Sequence, residues 1–543
     1  MRGGACHGGV VRSHAVTEVS PYSRPAADRR RTLRFPGLFP PALEFSCASA
    51  TPARVAGFRS LPAIAWRVDD PGSGGTDADT AINFRHGPTT GDALGLSEPL
   101  ARETGFYLPV RAKYAIALMA GITWAALSVW LSLRWLDDLS DLLGRPTAIV
   151  VIAFIAYVPG FMNAFLISSI LLDRRPERRR LDRYPGVSIL VACYNEADKI
   201  AFTIGSIASQ DYAGAMQVLV LDDGSTDDSV TVAERAIRDA DLRPGHRIRV
   251  VRGGGNIGKA GVLNRGLAMC DHDIVITVDG DSWVYEDAIQ RIVERYVADP
   301  PGTRAVAGAV LVRNSRENWL TRVQEWDYFH GIAAVKRMQS MYHGTLVAQG
   351  AFSLYDRDTL RELGGWPSCV GEDIVVSWAL LERGHRIGYC EDAVVFTSVP
   401  DKLAQFAAQR KRWSRGLLEA FKTHPRLMLK TRLTLIFIWW NVLFLPLDLV
   451  YTFAFIPGVV LALFGHYYIA GIMTLLVLPL AMIWNTFIYR VQHAMFKRQD
   501  LKVRRNISGF LSYMLVYSML LQPICVWGYV AETLGLRKRW GTR

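Results

Sequence analysis

The hydrophobic pattern divides the chain into apolar runs of membrane-spanning length and one long stretch between them with a different rhythm. Residues 114–133 and 147–172 carry no charge and are each long enough to cross a bilayer as a helix. Residues 433–464 form a further run, interrupted by Asp448 and two prolines, which predicts a tilted or broken span. Two more spans are expected over 467–488 and 507–530. In the intervening stretch, short apolar runs at 187–192, 217–221, 247–251 and 273–278 read as buried strands. Helical periodicity lies between them, as in 199–210 and 259–269. Alternating strand and helix predicts an α/β fold, with a mostly parallel sheet and helices on both faces. Such sheets hold ligands beyond the carboxyl ends of their strands.

Charge orients these segments. Residues 134–145 carry more acids than bases, whereas 174–183 is Arg-rich and 490–505 is strongly basic. The positive-inside rule places the first of these loops outside and the other two in the cytoplasm. Five spans follow, and they leave the basic C-terminus, Arg537-Lys538-Arg539, on the wrong side; Pro523 offers a re-entrant helix as the alternative. The expected organisation is a disordered tail over 1–105, two membrane helices and a basic linker over 106–184, and a cytoplasmic domain over 185–400. An amphipathic helix at the membrane surface over 401–432 and about three further membrane helices over 433–543 complete it. The tail is rich in Arg, Pro, Gly and Ala without apolar periodicity, and no apolar core follows its early arginines, so no cleavable signal peptide is expected.

Composition agrees with a membrane protein: half of the 543 residues are hydrophobic and 15 are Trp. The formal charge of +12 is explained by basic residues flanking the apolar runs rather than by nucleic acid. Seven scattered cysteines without a CxxC pair argue against a zinc site or a disulfide framework.

The polar motifs fall after the predicted strands. Tyr194 and Glu196, after the first, form a loop able to wall a nucleobase, although a plain surface loop has equal claim. Asp222 and Asp223, after the second, can accept hydrogen bonds from a uracil N–H or a ribose hydroxyl, or can close an Asx turn. Residues 253–260 match GxxxxGK, but Ala260 stands where a phosphate-binding loop needs Ser or Thr to ligate magnesium. Asp279 and Asp281, flanking Gly280 after the fourth strand, suit a hard divalent cation, Mg2+ or Mn2+, with Asp281 as the direct ligand. Farther on, Glu372-Asp373 opens an apolar helical run, and Gln409-Arg410-Lys411-Arg412-Trp413 precedes a long apolar segment. A carboxylate at a helix start can serve as a base, Arg can grip a diphosphate with paired hydrogen bonds, and Trp can stack on a sugar face. Together they suggest transfer of a sugar from a nucleotide donor. The bland alternatives are a helix-capping acid pair and an interfacial Arg-Trp anchor.

Gly371-Glu372-Asp373 followed by Gln409-x-x-Arg412-Trp413 resembles the paired signature of the processive family-2 glycosyltransferases, the membrane synthases of cellulose, chitin oligosaccharides, hyaluronan and poly-N-acetylglucosamine. The resemblance runs from about residue 185 to the C-terminus. It implies a glycosyltransferase-A-like fold. It also implies that Asp223 contacts uridine, that Lys259 within Asn256-x-Gly258-Lys259-Ala260-x-x-Leu263-Asn264 contacts the diphosphate, and that Gln409, Arg412 and Trp413 clamp acceptor and diphosphate. The family usually has Pro early in the loop before Tyr194, where this chain has Ala192 and Cys193.

The function expected is inverting, processive transfer from a UDP-sugar, with N-acetylglucosamine favoured, onto a growing β-linked polysaccharide exported through the spans. Asp373 would be the general base, with Glu372 orienting it. The enzyme would sit in the plasma (inner) membrane with its catalytic domain in the cytoplasm. Its partners would be the UDP-sugar donor, the polysaccharide acceptor, the lipid bilayer and accessory export proteins, and no nucleic acid. The rivals are a non-processive transferase acting on a lipid-linked sugar, a P-loop transport ATPase, and a catalytically dead membrane sensor.

Overall fold

A computed structural model describes residues 108–174, 180–471, 501 and 505–537, together with several positions between 482 and 497. The tail over 1–105 and half of the span expected at 467–488 lie outside the described residues. The soluble part is built on an eight-stranded sheet, β1 (Val187–Cys193), β2 (Met216–Asp222), β3 (His246–Val251), β4 (Ile274–Asp279), β5 (Ser282–Val284), β6 (Thr303–Val312), β7 (Phe352–Asp356) and β8 (Arg386–Thr397). Its order is β3-β2-β1-β4-β7-β6-β8-β5. Strands β1 to β4 pair in parallel, as the apolar runs predict. Strand β7 runs antiparallel to both its neighbours, and β5 antiparallel to β8. The fold is thus the mostly parallel, glycosyltransferase-A-like α/β sheet expected from the sequence.

Strand residues alternate between two apolar layers. Ile189, Val191, Val218, Val220, Ile276 and Val278 enter one core, while Leu190, Leu219, Leu221 and Val275 enter the other. This is the period-two rule of a strand buried on both faces, and each fully buried Val, Leu or Ile contributes roughly 1.5–3 kcal/mol. The second core also takes in Leu263 and Leu267, Val375 and Trp378, Ala420, and the membrane-helix residues Phe165, Ile170, Phe437 and Ile438. The sheet and the ends of the apolar helices therefore share one continuous core.

Among the described residues, four helices are long and apolar enough to cross a membrane: Val110–Leu131, Arg145–Leu172, Leu435–Leu463 and Ile507–Thr533. The third contains Pro446 and a wider turn over Tyr451–Phe455 but runs on as one helix, where its prolines predicted a tilted or broken span. Residues 134–145, expected as a loop, instead hold most of a helix, Leu133–Leu143. Its Leu139 is buried with Trp135 and Leu136 against Val151 and Ile152, so an apolar stripe too short to span a membrane still orders this segment.

Candidate active site

The register of the parallel strands brings the polar motifs level. Ala192 pairs with Asp279, and Cys193 with Asp222, so three strands deliver their following loops to one edge. There a cavity of about 980 Å³ opens, lined by Tyr194, Glu196, Asp223, Lys259, Asp279 and Asp281, by Glu372 and Asp373, and by Gln409, Arg412 and Trp413. Eleven of the twelve residues singled out in the sequence thus share one wall system.

The twelfth, Asp222, does not reach it. Its carboxylate accepts from the backbone N–H groups of Gly224 (3.3 Å) and Ser225 (3.0 Å), the Asx turn that was the alternative reading. Asp223 beside it is buried, and its Oδ1 accepts from Ile257 N at 2.7 Å. That bond fixes the glycine-rich loop where the helix Gly258–Ala268 begins. Burial raises the Asp223 carboxyl, partly offset by the backbone donors of Ile257 and Gly258. Asn195, between Tyr194 and Glu196, sits in the left-handed region at φ 54°, and its Oδ1 accepts from Thr226 N at 2.8 Å. Tyr194 is therefore displayed by a pinned turn and not by a loose loop.

Lys259 projects from the first turn of its helix between the two acid groups. Its Nζ lies 2.5 Å from Asp279 Oδ1 and 3.8 Å from Glu372 Oε1. Burial alone would lower its affinity for a proton, but Asp279 and Glu372 outweigh this and hold it above its ordinary range. The fit requires Gly350, since a Cβ there would come within 2.6 Å of Lys259 Nζ. Glu372 and Asp373 start the helix Glu372–Glu382. Asp373 Oδ1 accepts from Ile374 N at 2.8 Å and Oδ2 from Gly350 N at 3.3 Å, which orients the carboxylate toward the cavity. Glu372 is more buried, and burial pushes its carboxyl up against the opposing pull of Lys259.

The helix Leu403–Thr423 supplies the opposite wall. Gln409 Oε1 is buried with no hydrogen-bond partner among the described residues, an acceptor left for a ligand. Trp413 is 40% exposed, and the Arg410 guanidinium lies 4.1 Å from its ring centroid. Arg410 is itself held by Asp327 at 2.8 Å. The same helix is tied to the acid pair: Glu419 Oε2 accepts from Val370 N (2.9 Å) and Gly371 N (3.0 Å). Gly371 and Gly416 meet backbone to backbone, since a Cβ on Gly416 would lie 2.9 Å from the Gly371 Cα.

Several residues of the site escaped the sequence reading. Arg410 stands three positions before Trp413 on one helix, a spacing that signals contact but does not say which face is inward. Lys199 lies 3.6 Å from Asp281 and 3.5 Å from Glu196, and its position one helix before the second acid motif gave no hint of this. Lys336 also lines the cavity, bonded to the Val347 carbonyl, and burial pulls its ammonium down to about 8. It sits in a helix whose inward face is set by long-range packing alone.

Asp279 and Asp281 fit a hard divalent cation. Both flank Gly280 at the end of β4, both line the cavity, and their present partners are the ammonium groups of Lys259 and Lys199. Thr397 Oγ1 also donates to Asp281 at 3.2 Å. Among the described residues no three His, Cys, Asp or Glu side chains gather into a complete cage. Two carboxylates with the remaining positions left to diphosphate oxygens and water match the demands of Mg2+ or Mn2+.

Comparison with known proteins accords with this geometry. Residues 188–364 match the family model for glycosyl transferase family 2. A poly-β-1,6-N-acetyl-D-glucosamine synthase of Staphylococcus aureus is 29% identical over 275 residues, 48% of this chain and 64% of the relative. The synthase of the same name from Staphylococcus epidermidis is 28% identical over 277 residues, 49% of this chain and 65% of the relative. The match thus spans just under two thirds of those relatives' length. Among solved structures, a mannosyltransferase from Pyrobaculum calidifontis with GDP-mannose and Mn2+ aligns with 18% identity and a TM-score of 0.48, covering 72% of this chain and 99% of that one. Residues 188–364, which carry the strand-end acids, thus match glycosyl transferase family 2, and about half of the chain is similar to the poly-N-acetylglucosamine synthases.

Proposed function

We propose that this chain transfers N-acetylglucosamine from its UDP conjugate to the non-reducing end of a growing β-linked polysaccharide, with inversion, and passes the product out between its own membrane helices. The observation that carries the proposal is the extent of the cavity. It runs from Tyr194 and Asp223 past Asp373 and Trp413 to Asn441, Asp448 and Gln522, which lie on the apolar helices Leu435–Leu463 and Ile507–Thr533. A transferase with a small soluble acceptor has no need of such a continuation.

In this reading Tyr194 and Asp223 receive the uridine, and Lys259 and Arg412 grip the diphosphate. Trp413 and Gln409 hold the terminal sugar of the acceptor. Asp373 takes the proton of the acceptor hydroxyl as that oxygen bonds to the anomeric carbon. The bond from that carbon to the diphosphate oxygen breaks, and its electrons leave with UDP. A divalent ion held by Asp279 and Asp281 would neutralise charge on the departing diphosphate. Glu372 and Asp279 keep Lys259 in place meanwhile. One displacement with one base inverts the anomeric centre. The catalytic domain would face the cytoplasm, where UDP-sugars are made, in a chain anchored by its spans in the plasma membrane. Accessory export proteins would meet the product beyond it.

The test is incubation of the purified full-length protein with labelled UDP-N-acetylglucosamine, followed by sizing of the product. Polymer made without a lipid-linked acceptor is expected. Transfer of a single sugar, only when a lipid-linked acceptor is added, would replace the reading with that of a non-processive transferase.

A further inference from the structure

The cation stacked on Trp413 is itself held from the membrane side. Arg410 and Trp413 both line the cavity, and the Arg410 guanidinium lies 4.1 Å from the Trp413 ring centroid, 5.2 Å from that of Phe406 and 5.9 Å from that of Tyr328. Behind it stands Asp327, whose Oδ2 is 2.8 Å from Arg410 Nη2. The same oxygen accepts from the Tyr517 hydroxyl at 2.8 Å, and Tyr517 belongs to the membrane helix Ile507–Thr533. Arg410, Asp327 and Tyr517 are all buried. Asp327 begins one widened helical turn, Asp327–Ile332, and Tyr517 ends another, Tyr513–Tyr517. The two turns meet closely, since a Cβ on Gly331 would lie 3.2 Å from the Tyr513 hydroxyl. Around the contact, Leu320, Val323, Phe406 and Tyr517 form one apolar cluster that joins both soluble helices to the span. A buried ion pair can cost as much in desolvation as it returns, so its presence here points to geometry more than to stability.

We infer that Asp327 and Tyr517 are positioning residues for the acceptor sugar: together they pin Arg410 against one face of Trp413, which leaves the other face to the sugar and lets a membrane helix set where that ring stands. The inference rests on the reading of Trp413 as the acceptor's platform. Neither residue touches donor or acceptor; each acts through Arg410. The donor side is held by other contacts, Asp223 to Ile257 N and Lys259 to Asp279 and Glu372, none of which involves this helix. Loosening Tyr517 should therefore separate the two substrates, weakening the acceptor and sparing the donor.

The experiment measures, by calorimetry on detergent-purified full-length protein, the affinity for UDP and, with UDP saturating, for the β-1,6-linked N-acetylglucosamine trimer. Tyr517→Phe removes one hydroxyl and keeps the ring that packs 6.0 Å from Phe406 and 5.4 Å from Tyr513. It should weaken the trimer roughly three- to tenfold, the worth of one hydrogen bond, with UDP affinity unchanged. Arg410→Lys keeps the charge facing Asp327 but not the planar group that stacks on Trp413, and should weaken the trimer as well. The double variant should lose about as much as Arg410→Lys alone, because both changes act through one contact. A purely structural Tyr517 predicts a lower melting temperature in Tyr517→Phe with trimer affinity as it was. Unchanged trimer affinity in Tyr517→Phe, an equal loss of UDP affinity, or additive losses in the double variant overturns the inference. Trp413→Ala is the control for the reading beneath it. If that variant binds the trimer as the wild type does, or if the wild type binds UDP and no trimer, the platform reading falls, and the inference with it.

Discussion

Glu419 accepts hydrogen bonds from the backbone of Gly371, at 3.0 Å, and of Val370, at 2.9 Å. A buried carboxylate on the basic helix thereby holds the residues that immediately precede Glu372 and Asp373. The proposed base and the proposed acceptor clamp come from separate stretches of sequence, and this contact ties one to the other. Glu419→Ala should cut transfer roughly 100-fold, the cost of a misplaced reacting group, with UDP affinity retained. Glu419→Gln keeps one acceptor oxygen and should recover part of the rate. Equal rates in both variants would mean that the contact merely packs the helix, and measuring kcat beside UDP affinity separates the outcomes.

Asp373→Asn keeps the size of the side chain and one of its two backbone contacts, since an amide has a single acceptor oxygen, but removes its basicity. Transfer should fall roughly 100- to 10,000-fold, as when a general base is lost. UDP binding, which rests on Asp223, Lys259 and Arg412 in the proposed reading, should survive. Arg412→Ala should show the reverse emphasis, weakening the donor because a planar fork matched to phosphate is gone. Calorimetry with UDP and polymer synthesis on the same preparations would check both. Near wild-type synthesis by Asp373→Asn would move the role of base to another group.

The parallel half of the sheet was legible because β1, β2 and β4 are short apolar runs, and strands buried on both faces need such runs. The antiparallel insertion of β7 was not, since its residues read equally well as helix or turn and its place is set by pairing with β4 and β6. The same limit governed the site. Asp279, Asp281, Glu372 and Asp373 announced themselves through charge beside apolar runs. Lys199, Arg410 and Glu419 reach Asp281, Asp327 and Val370-Gly371, 48 to 83 positions away in the chain, which no local pattern records. Asp222 and Asp223 are the instructive pair: adjacent and identical, they differ because strand alternation turns one into the turn and the other into the cavity.

Turnover should stop in excess chelator and return with Mg2+ or Mn2+. Asp279 and Asp281 supply only two carboxylates, so the ion's remaining positions fall to diphosphate oxygens and water, and its binding should tighten with UDP present. Asp281→Ala should abolish metal-dependent synthesis and the metal's enhancement of UDP affinity together. Full synthesis by this variant in chelator would refute the metal site. Titrating Mn2+ with and without UDP provides a readout that does not depend on activity.

The last expectation concerns pH. Burial raises the Glu372 carboxyl from 4.5 to about 7, with Lys259 opposing and Asp373 adding to the rise. The folded chain therefore holds a proton on this group at pH values where the unfolded chain has lost it. By linkage, the stabilising contribution is complete below the unfolded value and declines as pH climbs through about 7. Glu372→Gln, which cannot ionise, should lose this decline. Melting temperatures measured between pH 5 and 8, in chelator and without donor so that no bound ligand intervenes, should fall more steeply for the wild type than for the variant. Parallel curves would mean that Lys259 neutralises Glu372 completely, and that the pair, at 3.8 Å, behaves as a closed ion pair throughout.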